Sequence, residues 1–171
     1  LVHYDEIQKY YINKDSKFSG DIQKDYTKNI INLTPNFNKI RYINQGLWDT
    51  KTQLKFFKPT NDKYVSHSLI EGMTSQNYDL VDVDSIKNIM ESNNHTHIDL
   101  LKLDIEGAEI KVLDQMLKDG ILPTYLLVEF DLFLQKKDKN NDTNRILKEL
   151  SKHYTTLKND NYNITFKLNL S

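Results

Sequence analysis

Asp104, Glu106 and Glu109 cluster around Gly107, directly behind the apolar run Ile98-Asp99-Leu100-Leu101-Lys102-Leu103. The run has the character of a buried parallel strand, and Ile105 to Glu109 opens a helix. A carboxylate at such a junction can accept backbone N–H groups and interacts favourably with the helix dipole. It also stands beyond the carboxyl end of a strand, where parallel α/β sheets hold their ligands. Two other strand ends carry an acid or a glycine: Gly46-Leu47-Trp48-Asp49 and Glu129-Phe130-Asp131. Asp104 is the sharpest candidate, with capping and chemistry both open to it. For Glu106 and Glu109, capping and first-turn charge complementarity are the favoured reading. Gly107 would let the helix pack close to the strand, and Trp48 reads more readily as a core aromatic than as a stacking platform.

His67 lies in Val65-Ser66-His67-Ser68, within residues 59–77, which show no periodicity. A long aperiodic connection between elements draws attention to its polar residues, so His67 is a candidate for substrate contact or proton transfer. His95 and His97 form an H-x-H pair in a polar turn, but no third ligand is identifiable, so no metal is expected there. Neither G-x-x-x-x-G-K-[ST] nor G-x-S-x-G nor G-x-G-x-x-G occurs, which argues against a P-loop nucleotidase, a serine hydrolase elbow and a dinucleotide fingerprint.

These residues need elements to position them. Helical spacing is read over residues 3–12 and 21–33, a short strand over Ile40 to Gln45, and a second strand over Gln53 to Phe57 behind a tight connection at Asp49-Thr50-Lys51. Leu80 to Val83 reads as a strand, with Asp82 or Asp84 capping a helix that carries Ile86, Ile89 and Met90 on one face. Ile98–Asp104 and Tyr125–Phe130 read as adjacent parallel strands, with residues 106–118 helical between them and Gly120 at the helix C-cap. Gln135 to Asn144 reads as a loop, and Ile146, Leu147 and Leu150 mark another helix. Tyr154 to Leu157 and Ile164 to Leu168 close as a hairpin around Asn159-Asp160-Asn161.

The 171 residues, 38% hydrophobic and 27% charged, fit one domain able to bury a core, so residues 1–171 read as a single domain. The absence of Cys excludes a disulfide scaffold, a thiolate zinc site and a catalytic cysteine, and leans toward a reducing compartment such as the cytoplasm. The net charge of −1 lacks the positive excess of a generic nucleic-acid binder, so no nucleic-acid partner is expected. No apolar run approaches the length of a membrane-spanning helix.

The stretch Ile98-Asp99-Leu100-Leu101-Lys102-Leu103-Asp104-Ile105-Glu106-Gly107-Ala108-Glu109, followed by Val112-Leu113, resembles the signature of the FkbM-type methyltransferases. In the same order, Tyr42 to Asp49 resembles that family's third strand and following turn, Val81 to Ile86 its approach to the fourth strand, and Leu126 to Phe130 its fifth. The resemblance covers roughly residues 39–168. It implies an α/β, Rossmann-like class I methyltransferase sheet, mostly parallel with a C-terminal antiparallel hairpin. It also implies S-adenosylmethionine as cofactor and methyl transfer to an oxygen of a small molecule or glycan. Nucleophile and methyl must then be held in near-attack geometry, and a carboxylate or His must take the hydroxyl proton. Asp104, Glu106 and His67 become the catalytic candidates, and Gly46, Leu47, Trp48 and Asp49 the cofactor-binding ones.

The family's first strand, glycine-rich cofactor loop and acidic end of strand two have no counterpart here. The chain opens on Leu rather than Met, and the fold is expected to be N-terminally incomplete. The complete protein is expected to bind S-adenosylmethionine, and the 171 residues alone weakly or not at all. A catalytically inactive Rossmann-like binding module is the alternative that the missing loop favours.

Overall fold

The computed structural model describes residues 36–57, 77–131 and 141–169. The chain divides into two compact units, Leu1–Asn44 with Pro59–Val65, and Gln45–Lys58 with Ser66–Ser171. In the first, the described residues form a 3-10 turn, Phe37–Lys39. The strand expected over Ile40 to Gln45 is absent. Ile40, Tyr42 and Ile43 are all exposed, so the alternation has no single face to bury. The helices expected over 3–12 and 21–33, and most of the aperiodic stretch with His67, lie outside the described residues.

All the described strands belong to the second unit. One sheet has the order β1-β3-β2, from β1 (Gly46–Leu47), β2 (Thr52–Phe57) and β3 (Tyr78–Asp84). β1 and β2 do not pair as a hairpin. β3 takes β1 parallel and β2 antiparallel, with Leu47 opposite Asp84 and Thr52 opposite Val83. The other sheet has the order β4-β5-β7-β6, from β4 (Leu100–Leu103), β5 (Tyr125–Glu129), β6 (Tyr154–Asp160) and β7 (Asn163–Leu168). β4 and β5 are parallel and adjacent, in the register Leu100↔Tyr125 to Leu103↔Val128. β7 runs antiparallel to both β5 and β6. Both sheets are therefore mixed rather than mostly parallel. The tight turn at Asn161-Tyr162 reverses the chain, and it is the returning strand that docks on β5.

Among the described residues three helices accompany them: α1 (Ile86–Ser92), α2 (Glu109–Lys118) and α3 (Asp142–Leu150). Ser85, not Asp82 or Asp84, caps α1, its hydroxyl accepting from Asn88 N at 3.2 Å. Asp84 supports that cap by accepting from Ser85 N and the Asn88 amide. α2 closes as expected at Gly120. The N–H of Gly120 reaches Leu117 O and that of Ile121 reaches Met116 O, with Gly120 at φ +69°, the Schellman pattern.

The core lies where α2 and α3 meet one face of the second sheet. Val112, Leu113 and Met116 of α2 and Ile146 and Leu150 of α3 bury against Leu103, Leu126, Val128, Ile164 and Phe166. β4 is covered on one side only. Leu103 is fully buried while Leu100 is 59% exposed, so the apolar run is not the two-sided buried strand its composition indicates. Arg145 of α3 clamps Asp114 of α2 through two nitrogens, at 2.8 and 2.7 Å. Among the described residues no helix is long and apolar enough to cross a membrane.

Candidate active site

The parallel register carries Asp104, one step past Leu103, to a position beside Glu129, one step past Val128. Asp104 is exposed and bonds Lys102 Nζ at 2.5 Å. It does not cap α2: the N-cap is Ala108, and no side chain bonds there. The helix begins at Glu109 rather than 106, because Glu106 at φ +54° and Gly107 at φ +101° leave helical backbone. A non-glycine residue with positive φ is unusual, and φ near +101° is glycine territory. The Glu-Gly pair is thus a turn that lifts Glu106 out of the strand direction before the helix starts.

Glu109 holds that turn. The residue is 1% exposed, and its Oε1 accepts from both Ile105 N and Gly107 N at 3.1 Å. The side chain therefore works back along the chain, on donors ahead of the helix. Burial pushes its proton affinity up, and the backbone N–H groups partly offset this.

Past β5, Asp131 is 5% exposed. Burial, followed by the charges of Glu109, Glu106 and Glu129, pushes its carboxyl up to about 7. Glu129 is also raised, first by desolvation and then by Asp104. The two strand ends and the turn thus gather Asp104, Glu106, Glu109, Glu129 and Asp131 into one acidic region. The sequence alone points to the Glu129-Phe130-Asp131 end without giving either acid a role. The β4–β5 pairing is the signal that joins it to Asp104.

The other predicted segment is anchored separately. Trp48 N donates to Asp84 O at 2.9 Å. Asp49 pairs with Lys111 of α2 at 3.0 Å, and the same ammonium lies 5.1 Å from the Trp48 ring centroid. Trp48 and Asp49 are so tied to the outer face of α2, whose buried first turn carries Glu109. Gly46 and Leu47 form β1, and Leu47 packs against the core. His67 lies outside the described residues. His97 bonds Thr124 Oγ1 at 2.9 Å, and among the described residues no group of three or more His, Cys, Asp or Glu is arranged to hold a metal ion. A cavity of about 210 Å³ beside His97, Ile98 and Leu122 lies at the opposite end of β4 from the acids.

The sequence model described as the Methyltransferase FkbM domain matches residues 6–162. The chain belongs to the FkbM methyltransferase family. The match begins well ahead of Lys39, so the FkbM domain takes in both compact units. No curated protein and no solved structure matches the chain. The strand-to-helix turn at Asp104 to Glu109 thus belongs to an FkbM methyltransferase domain.

Proposed function

We propose that this protein transfers a methyl group from S-adenosylmethionine to an oxygen of a small molecule or glycan, within a Rossmann-like class I methyltransferase fold. The observation that carries the reading is the parallel β4–β5 pair, which sets Asp104 beside Glu129 at the strand ends.

The chemistry of the residues fits the cofactor. The acidic region suits a cationic sulfonium. An aromatic followed by a carboxylate, Trp48-Asp49, suits a purine ring and ribose hydroxyls. When bound, S-adenosylmethionine supplies an electrophilic methyl on sulfur. Gly46, Leu47, Trp48 and Asp49 would hold the nucleoside part. Asp104 is the proton acceptor for the hydroxyl that attacks. Lys102 orients that carboxylate through their ion pair, and Glu106 is the second candidate for the proton. His67 remains a candidate for substrate contact. A base positioned within hydrogen-bond reach of its proton contributes about 10²–10⁴-fold.

A binding module without methyl transfer is the second reading. It is favoured by the engagement of Asp49 and Trp48 with Lys111. Supplying the protein with methyl-labelled S-adenosylmethionine and the small-molecule and glycan fraction of its host cells separates the two. Label entering an oxygen of that fraction, and lost in Asp104→Asn with folding retained, supports the transferase. A fraction left unlabelled by the folded protein supports the module.

A further inference from the structure

Glu109 and Asp131 are both almost wholly buried, and their carboxyls are in hydrogen-bonding contact. Each keeps one buried oxygen, Glu109 Oε2 and Asp131 Oδ2, without a donor among the described residues. Ionised carboxylates only accept hydrogen bonds, so two of them in contact need a proton between them. Leaving both charged side by side, away from water, would be costly.

We infer that Glu109 and Asp131 share one proton, and that this carboxyl pair is the clasp that holds the Asp104–Gly107 turn against the end of β5. Glu109 Oε1 already accepts two backbone N–H groups, which favours charge on Glu109. The proton therefore sits on Asp131, whose O–H donates to Glu109. The charges acting on Asp131 are acidic: Glu109 from α2, Glu106 from the turn and Glu129 from β5. Lys102 of β4 acts on Glu129. All three acids oppose ionisation of Asp131, so the proton is kept where free carboxyls have lost theirs.

The pair spans two links of the fold. Through Glu109 it sets the backbone of Ile105 and Gly107, and with it the left-handed Glu106. Through Asp131 it fixes that turn to the strand beside Asp104. Both are positioning residues and reach the chemistry only through the turn. Their effect on turnover rests on the methyl-transfer reading, whereas the shared proton does not.

Infrared spectroscopy of the full chain reads the proton directly. The wild type should show a protonated-carboxyl C=O band at pH 6 that fades as pH rises through about 7. In Glu109→Gln and in Asp131→Asn an amide N–H supplies the bond instead, so the band should vanish from each. Absence of the band in the wild type, or its survival in either variant, would overturn the inference. Should a variant not fold, the wild-type band and its titration decide alone. For positioning, Glu109→Gln should keep the turn and its turnover, while Glu109→Ala should lose about 10²-fold, the scale of a misplaced catalytic group. Equal losses in both would overturn the positioning role. If the wild type transfers no methyl at all, the transferase reading fails while the infrared result still tests the clasp.

Discussion

Lys111 stands 3.0 Å from Asp49, joining the segment after β1 to α2 across a large sequence separation. Both side chains are partly exposed, so the pair itself contributes at most about 1 kcal/mol. Lys111→Met should therefore leave urea unfolding nearly unchanged. If Asp49 and Trp48 hold the nucleoside, removing the competing ammonium should tighten S-adenosylmethionine binding in calorimetry. Weaker binding would show that Lys111 is itself part of the site.

Gly107 and Gly120 both have positive φ but in different settings. Gly120 at φ +69° has open space where a Cβ would go, so Gly120→Ala should cost about 1–2 kcal/mol, the backbone term alone. Gly107 is buried at φ +101° and donates to Glu109. Gly107→Ala should cost more, about 3 kcal/mol, and should also disturb the Glu106 backbone. Denaturant midpoints for the two variants check the order.

The one-sided burial of β4 predicts opposite outcomes at neighbouring leucines. Leu103→Ala removes a fully buried side chain and should cost about 2–5 kcal/mol. Leu100→Ala, at 59% exposure, should stay within about 0.5 kcal/mol. Similar large losses at both would mean that the outer face of β4 is covered.

Some of this was legible in the residues and some was not. α2 and its Gly120 stop announced themselves through helical spacing and a C-cap glycine, and the β6–β7 hairpin through two apolar runs around Asn161. The parallel pairing of β4 with β5 followed from the length of the connection. Composition did not reveal that Leu100 is exposed, because a one-sided strand and a two-sided one can share an apolar run. Ile40, Tyr42 and Ile43 have strand chemistry but no face to bury. Glu109 looks like any first-turn acid. Its reach back to Ile105 and Gly107 depends on the left-handed turn, and its contact with Asp131 on strand pairing. The link from Lys111 to Asp49 leaves no local signal at all.

The buried carboxyl pair sets a pH dependence. Asp131 is raised from an ordinary 3.8 to about 7 in the folded protein. It binds its proton more tightly folded than unfolded, so its contribution is fully present below about pH 4 and is lost as pH rises through about 7. Between those limits the wild type should lose stability relative to Asp131→Asn as pH rises. Thermal melts of both proteins across that range check it, and parallel curves would contradict the shift.

The central claim is that this fold serves S-adenosylmethionine-dependent methyl transfer, and calorimetric titration of that cofactor tests it most directly. The protein should bind with saturable heat, and Asp49→Asn should weaken binding. No binding by the folded protein would contradict the account.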